Sequence, residues 1–295
     1  MMRELPVWRS LLFVPITVEK FVAKAPAAGA DGLILDLEDS VPLAEKERAR
    51  GLVRETAAAL APHADILVRI NRPWRMAVRD IEAAVCAEVT ALACPKIADA
   101  SHVHALAEIL DEVEAERGLA NGHTRIYAMI ETVEALPEMR AIAAAHPRVV
   151  ALSLGSEDFA LSAGMLPEPD GLYPPTLSVV FAARAAGVLP MGALGSIAQY
   201  KDVPAYRADI ERSRRLGFRG AAAIHPNQVN VLNAVHAPDP EEVADARGMI
   251  EAYEAALAQG LGAIEYGGKM IDVPVVARAR ELVALADRIA QRTGS

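Results

Sequence analysis

Eight short apolar segments, separated by longer stretches with helical spacing, limit the folds open to this chain more than any other feature. Buried parallel strands have near-continuous apolar sequences, and the intervening stretches here are rich in Ala, Glu and Arg. The predicted strands are Ser10–Val14, Gly32–Leu37, Ile66–Ile70, Ala91–Cys94, Ile126–Ile130, Val149–Leu154, Met191–Leu194 and Ala221–Ile224. Helices are predicted between them at Val41–Leu60, Ser101–Arg117, Val133–Ala145 and Val203–Leu216, among others. Eight βα units joined by right-handed crossovers predict a (β/α)8 TIM barrel, an α/β fold.

The chain continues beyond the length that eight βα units need. We therefore predict a barrel over residues 1–235 and a C-terminal helical extension over residues 236–295. Pro and Gly residues divide the extension into two helices and a Gly-rich loop around Gly267 and Gly268.

Composition excludes several classes of protein. Hydrophobic residues make up 53% of the 295 residues and charged residues 23%, so the chain can form a core and is not mainly disordered. A net charge of -9 argues against a nucleic-acid partner. Cys86 and Cys94 are too few for a disulfide framework or a structural zinc site. We see neither a membrane-spanning segment nor a signal peptide, so we expect a cytoplasmic protein without a membrane partner.

Charged residues follow most of the predicted strands, and the site of such a barrel is built at the carboxyl ends of its strands. These residues are Asp36, Glu38 and Asp39 after strand two, Arg69 and Asn71 after strand three, Lys96 after strand four, Glu131 after strand five, Glu157 and Asp158 after strand six, and His225 after strand eight. Each has a structural alternative, such as a helix cap or a surface ion pair. Together, carboxylates that meet at one rim repel one another unless a cation lies among them.

The chemistry of these residue types points to a metal. Carboxylate oxygens without Cys or paired His favour a hard cation, and one or two carboxylates with open positions suit Mg²⁺. Arg69 offers a planar fork for a substrate carboxylate. A metal that chelates a 2-oxo or 2-hydroxy acid can stabilise the charge that forms as a C–C bond breaks. The residues therefore predict lyase or aldolase chemistry.

The same residues lie in segments that resemble the citrate lyase β-subunit and malyl-CoA/citramalyl-CoA lyase family, within the HpcH/HpaI aldolase superfamily. The segments are RSLLFVP (9–15), DGLILDLED (31–39) followed by Lys46 and Arg50, VRIN (68–71), PK (95–96), MIET (129–132), GSED (155–158) and IHP (224–226). The resemblance implies that Glu131 and Asp158 hold Mg²⁺ and that Arg69 binds the carboxylate of an oxo acid. It also implies a CoA thioester and a 2-oxo acid as ligands.

The C-terminal extension carries a further resemblance. The segment GGKMIDVP (267–274) is similar to the lid of the acyl-CoA lyases, whose Asp reaches the active site of a neighbouring subunit. This implies that Asp272 is the proton carrier and that the chain forms a homo-oligomer, a trimer or hexamer. The alternative is that Asp272 caps the following helix. Two family elements are absent: LSVVF (177–181) replaces a Tyr-Ala-Arg element, and Gly220-Ala221 replaces a Gly-Lys pair.

We predict a Mg²⁺-dependent carbon–carbon lyase that cleaves a 3-hydroxy-3-carboxyacyl-CoA thioester, such as citramalyl-CoA or malyl-CoA, to acetyl-CoA and a 2-oxo acid. The predicted catalytic residues are Asp272, Arg69 and Asp36, the last orienting its neighbours rather than binding the metal directly. The predicted substrate-binding residues are Arg69, Arg9, Lys96 and His225, and the predicted metal ligands are Glu131 and Asp158. Two alternatives remain open: a citrate lyase β-subunit that acts on a carrier-protein thioester, and a non-catalytic barrel that binds oxo acids.

Overall fold

The computed structural model describes residues 5–195, 197 and 200–293, and its eight parallel strands form a barrel. The strands are β1 (Ser10–Pro15), β2 (Gly32–Asp36), β3 (Asp65–Arg69), β4 (Val89–Cys94), β5 (Arg125–Ile130), β6 (Val149–Leu154), β7 (Leu189–Pro190) and β8 (Ala221–Ala223). Their order in the sheet is β7-β6-β5-β4-β3-β2-β1-β8. Met191, directly after β7, bridges Gly220, directly before β8, and this pairing closes the sheet. The predicted (β/α)8 barrel is confirmed.

Helices follow the strands in chain order. They are α1 (Glu19–Lys24), α2 (Lys46–Leu60), α3 (Trp74–Ala84), α4 (Ala100–Glu116), α5 (Met139–Ala144), α6 (Ser156–Ala163), α7 (Pro169–Ala186), α8 (Val203–Leu216) and α9 (Pro226–His236). Side-chain caps fix where two of them begin: Asp99 accepts a hydrogen bond from the His102 N–H at 2.9 Å, and Asp202 accepts one from the Ala205 N–H at 3.0 Å. No helix within the described ranges is long and apolar enough to cross a membrane.

Successive side chains along each strand point alternately into the barrel and toward the helices, so the sheet has an apolar layer on each face. Side chains such as Leu11, Ile34 and Leu67 fill the barrel interior together with Tyr127. Their strand neighbours face outward and pack against the helices. Burial of each large apolar side chain stabilises the fold by about 1.5–3 kcal/mol relative to exposure. The barrel therefore holds its strand ends in fixed positions around the rim.

Three predicted elements differ from the structure. The helix predicted at Val41–Leu60 begins at Lys46, and Leu43–Glu45 form a separate 3₁₀ turn before it. The seventh strand is Leu189–Pro190 instead of Met191–Leu194, because Gly192 adopts a positive φ of 139° and ends the extended pairing. The helix predicted at Val133–Ala145 is reduced to α5, Met139–Ala144. Separate turns precede α5, and Pro137 has no N–H to donate to a helix there.

The chain divides into two compact units, Met1–Val235 and His236–Ser295. The second unit consists of α10 (Pro240–Leu257), the antiparallel pair β9 (Ile264–Tyr266) and β10 (Lys269–Ile271), and α11 (Val273–Thr293). Tyr253, Ile271 and Val276 form its small core. The two predicted helices are present, whereas the two short strands beside the Gly-rich turn were not predicted. Gly267 and Gly268 form that turn with φ values of 57° and 74°, which favour glycine.

Candidate active site

A cavity of about 530 Å³ lies at the carboxyl ends of the barrel strands. Asp36 closes β2 and Arg69 closes β3, and the parallel register pairs these two residues directly. Glu131 follows β5, and Asp158 lies in the first turn of α6. All four side chains line the cavity. The structure thus brings the predicted catalytic Asp36 and Arg69 together with the two predicted metal ligands.

The Arg69 guanidinium is held by carboxylates on two of its edges. Its Nε and Nη2 donate to the two oxygens of Asp36 at 2.7 and 2.8 Å, a bidentate pair. Its Nη1 lies 2.9 Å from Glu38 Oε2 and 3.1 Å from Asp39 Oδ2. The ring of Phe13 lies beneath it, with 4.8 Å between the guanidinium carbon and the ring centroid. Burial acts to raise the pKa of Asp36, but its hydrogen bonds outweigh burial, so the pKa lies below its ordinary value.

Lys96 lies at the meeting point of three carboxylates. Its Nζ is 3.2 Å from Glu38 Oε1, 3.6 Å from Glu131 Oε2 and 3.3 Å from Asp158 Oδ1. Its backbone has a φ of 50°, in the left-handed region that costs free energy for a residue with a Cβ. Two backbone bonds hold this conformation: the Lys96 N–H donates to Glu131 Oε2 at 3.1 Å, and its carbonyl accepts from Arg72 Nε at 3.1 Å.

Glu131 is a buried carboxylate among other carboxylates. Its relative exposure is 3%. Burial raises its pKa to about 7, the nearby Lys96 ammonium opposes this rise, and the negative charges of Glu38 and Asp158 add to it. The backbone of Gly155 passes so close that an added Cβ would lie 2.6 Å from Glu131 Cγ. A side chain at position 155 would therefore displace the Glu131 carboxylate.

The charges of this ion-pair network do not balance. The carboxylates are Asp36, Glu38, Asp39, Glu131 and Asp158, and the cations are Arg69 and Lys96. Five negative groups against two positive ones leave a formal excess of three negative charges. Across the residues that the structure describes, no group of three Asp, Glu, His or Cys side chains forms a preassembled metal cage. Two converging carboxylates, oxygen donors and excess negative charge fit a hard divalent cation that keeps open positions.

Arg9 does not reach this rim. It precedes β1, and its Nε and Nη2 donate to the two oxygens of Asp31 at 2.8 and 2.7 Å. Asp31 precedes β2, so this pair lies at the amino ends of the strands, opposite the cavity. The geometry gives the predicted substrate role of Arg9 no support. The sequence prediction did not separate the residue that precedes a strand from the residues that follow it.

His225 follows β8 but is not among the residues that line the cavity. Its ring stacks on that of Tyr200, with 5.0 Å between centroids and an interplanar angle of 20°. Its Nδ1 accepts a hydrogen bond from the Asn227 N–H at 3.2 Å. Its substrate role stays a prediction.

Asp272 lies in the second unit, between β10 and α11. Its Oδ1 accepts a hydrogen bond from the Val275 N–H at 3.4 Å, and its carbonyl accepts one from the Val276 N–H at 3.0 Å. The capping alternative is thus present in the structure. The role of Asp272 as a proton carrier stays a prediction, since a cap leaves one carboxylate oxygen available.

Sequence reasoning missed two cavity-lining residues and one buried carboxylate near the rim. Tyr127 and Met129 line the cavity from within β5, where an apolar strand gives no functional signal. Asp80 was also missed, although it is fully buried on α3 with Ala77 and Ile81. A carboxylate on the apolar face of a helix is the signal that could have identified it.

Comparison with known proteins gives one family. The family model for HpcH/HpaI aldolase/citrate lyase matches residues 9–226. The citrate lyase subunit beta of Leuconostoc mesenteroides subsp. cremoris is 33% identical over 286 residues, which cover 95% of this chain and 93% of that protein. The (3S)-malyl-CoA thioesterase of Cereibacter sphaeroides is 32% identical over 300 residues, which cover 96% of each chain.

Solved structures agree with this family. The Mycobacterium tuberculosis protein CitE in complex with magnesium, acetoacetate and coenzyme A superposes with a TM-score of 0.74 at 28% identity and covers 97% of this chain and 100% of that one. A citrate lyase beta subunit from the same organism, complexed with oxaloacetate and magnesium, gives a TM-score of 0.65 at 28% identity and covers 79% of this chain and 98% of that one.

Proposed function

The chain belongs to the HpcH/HpaI aldolase/citrate lyase family, and from that premise we propose that it is a Mg²⁺-dependent carbon–carbon lyase. Its proposed substrate is a 3-hydroxy-3-carboxyacyl-CoA thioester such as citramalyl-CoA or malyl-CoA, and its products are acetyl-CoA and a 2-oxo acid. One observation carries the proposal: an ion-pair network with a formal excess of three negative charges lies at the strand ends, and four of its five carboxylates line one cavity with Arg69. This arrangement can take both a divalent cation and an anionic substrate.

Glu131 and Asp158 would hold the metal. Their carboxylates converge on one point, because each lies within 3.6 Å of the Lys96 ammonium. When bound, Mg²⁺ would stabilise the negative charge that the substrate hydroxyl oxygen takes on when it loses its proton, before the C–C bond breaks. The magnesium complexes of the two M. tuberculosis neighbours support this choice of ion.

Arg69 would bind the carboxylate of the oxo acid. Asp36 occupies the Nε–Nη2 edge through a bidentate pair, so the substrate competes for Nη1, which also faces Glu38 at 2.9 Å. There the partner Asp39 is 62% exposed and lies 3.1 Å away. An exposed ion pair contributes little free energy, about 0–1 kcal/mol, so a substrate carboxylate can replace Asp39 at low cost. Asp36 then acts as the residue that orients Arg69.

The remaining roles belong to Lys96 and to the second unit. Lys96 places a positive charge beside the predicted metal ligands and would interact with an anionic substrate there. Asp272 would exchange a proton with the carbon of the acetyl thioester after cleavage. We propose that it does so in the site of a neighbouring subunit of a homo-oligomer, a trimer or hexamer, whose extension carries the lid.

A second activity is favoured by a specific relative. The (3S)-malyl-CoA thioesterase of C. sphaeroides is 32% identical, close to the 33% of the citrate lyase subunit beta. Hydrolysis of a thioester and cleavage of its C–C bond use the same substrate class but give different products. The products therefore distinguish the two activities.

The test incubates purified protein and Mg²⁺ with citramalyl-CoA, malyl-CoA and a citryl thioester on an acyl carrier protein. Release of acetyl-CoA with a 2-oxo acid supports the lyase, whereas free CoA with an intact hydroxy acid supports the thioesterase. Turnover of the carrier-protein thioester alone indicates a citrate lyase β-subunit. The matched control is Glu131→Gln, which keeps the shape of the site and removes a proposed ligand. Oxo-acid binding without turnover of any thioester would favour a non-catalytic barrel and contradict the proposal.

A further inference from the structure

A layer of buried polar side chains lies beneath the turn that follows β2. Asp36 starts this turn and accepts hydrogen bonds from the N–H groups of Glu38 at 2.9 Å and Ser40 at 3.1 Å. The carbonyls of Leu37 and Glu38 both accept from Lys46 Nζ, at 2.6 and 2.7 Å. The turn is thus bonded through its N–H groups to Asp36 and through its carbonyls to an ammonium from α2.

The layer continues from Lys46 to α3. Asn71 Nδ2 donates to the Leu37 carbonyl at 2.9 Å and to Asp80 Oδ2 at 2.6 Å, and the Asn71 N–H also donates to Asp80 Oδ2 at 2.7 Å. The other oxygen of Asp80 accepts from Arg50 Nε at 2.6 Å. Arg50 follows Lys46 by four residues and lies on the same face of α2. Two helices and the end of β3 therefore share one network.

This layer is costly for the fold. Asp80 is fully buried, and Asn71, Lys46 and Arg50 are 4%, 9% and 9% exposed. Burial lowers the pKa of Lys46, and nearby carboxylates only partly oppose it. Apolar residues of similar volume are often as stable as buried charged groups, so stability alone gives a weak reason for this layer.

The location of the layer gives a functional reason. The turn that it holds carries Glu38, whose two oxygens face Arg69 Nη1 at 2.9 Å and Lys96 Nζ at 3.2 Å. Glu38 is therefore the carboxylate that joins the proposed oxo-acid anchor to the proposed metal site. A shift of this turn would move both cations, and catalysis is sensitive to displacements of about 1 Å.

We propose that Lys46, Asn71 and Asp80 are positioning residues that act on the reaction through Glu38. The proposal rests on the proposed function for its substrates. Lys46 is the main donor, because it binds both carbonyls of the turn. Asn71 and Asp80 connect the turn to α3 and so fix its position relative to that helix.

The test is a double-mutant cycle on kcat with the preferred thioester. Lys46→Met keeps the length of the side chain and removes its donors, and it should lower kcat by about tenfold or more. Glu38→Gln should lower kcat as well. If Lys46 acts through Glu38, adding Lys46→Met to Glu38→Gln should cost much less than it costs in the wild type. Glu131 follows β5 and Asp158 lies in α6, and neither bonds to the turn, so Mg²⁺ affinity should fall much less than kcat in Lys46→Met.

A matched control separates this role from plain stability. Glu114 is 1% exposed and pairs with Arg148, which directly precedes β6 at the amino ends of the strands. Glu114→Gln should lower the free energy of unfolding and leave kcat unchanged. If Lys46→Met does not fold, Lys46→Arg and Asn71→Ala replace it. The Arg variant should retain most of the activity, and the Ala variant should lower kcat.

Unchanged kcat in folded Lys46→Met, or additive losses in the double variant, would overturn the proposal. A wild-type protein that cleaves no thioester contradicts the proposed function instead. The same cycle is then measured on oxaloacetate affinity by calorimetry, because Glu38 contacts Arg69. Additive effects there would overturn the positioning role by themselves.

Discussion

Glu131→Gln is expected to stabilise the metal-free protein while it removes metal binding. Burial raises the pKa of Glu131 from the ordinary value of 4.5 to about 7. The difference of about 2.5 corresponds to about 3 kcal/mol of unfavourable free energy for ionising this carboxylate in the folded protein. Gln has no charge to desolvate, and the pKa of about 7 already includes the attraction of Lys96, so we expect a net gain of up to about 3 kcal/mol at pH 8.

The gain should depend on pH with a defined sign. Between pH 4.5 and about 7 the folded protein retains the proton of Glu131, whereas the unfolded chain releases it. The free energy of unfolding of the wild type therefore falls as pH rises through this range, and Glu131→Gln should not show this decrease. The advantage of the variant should be full at pH 8 and absent near pH 4.5.

The assay is urea unfolding in EDTA buffer at pH 8 and pH 5, with Glu134→Gln, an exposed carboxylate one turn away, as the control. In a second series without EDTA, saturating Mg²⁺ at about 100 times its Kd should stabilise the wild type by about 2.7 kcal/mol and leave Glu131→Gln unchanged. A variant that is less stable than wild type at pH 8, or whose advantage is equal at both pH values, would refute the reasoning.

Three further predictions concern other parts of the molecule. Burial and the nearby positive charge of Arg72 lower the pKa of His102 to about 4, so the free energy of unfolding should fall by up to about 3 kcal/mol as pH drops from about 6.5 to about 4. In urea titrations His102→Asn should lose this pH dependence, whereas His104→Asn, at an exposed position, should retain it. Arg69→Lys should weaken oxaloacetate binding by about thirtyfold, or about 2 kcal/mol, in calorimetry, and unchanged affinity would point to another anchor. Asp272→Asn should bind Mg²⁺ and oxo acid but not cleave thioesters. Mixing its subunits with those of Glu131→Gln should restore part of the activity. No recovery after verified subunit exchange would mean that Asp272 does not act in the site of a neighbouring subunit.

The barrel and most of its rim could be predicted because both depend on local sequence. An apolar run followed by a charged residue marks the end of a strand, and barrel geometry brings such ends together. Asp36, Arg69, Glu131 and Asp158 follow this rule and line one cavity. The seventh strand does not coincide with its predicted apolar segment, because Gly192 has a positive φ and ends the extended pairing. Local sequence does not reveal the backbone conformation of a glycine.

Partners of charged side chains could not be predicted in the same way. The prediction assigned Arg69 to a substrate carboxylate. Strand register also sets Asp36 directly opposite Arg69, and the two form a bidentate pair that the sequence did not reveal. Asp80 lies on a helix and contacts the rim only through Asn71. Such pairings depend on register and helix packing, which are tertiary properties of the barrel.

The excess negative charge of the rim depends both on the carboxylates at the strand ends and on the ion pairs that hold them. Carboxylates that gather at one rim repel one another, and cations held among them reduce that repulsion. Arg69 is held by Asp36 in a bidentate pair, and Lys96 lies within 3.6 Å of Glu38, Glu131 and Asp158. The remaining negative charge is then unfavourable in the metal-free state. A divalent cation bound as proposed would relieve this repulsion, so the charge excess that destabilises the metal-free protein would favour metal binding.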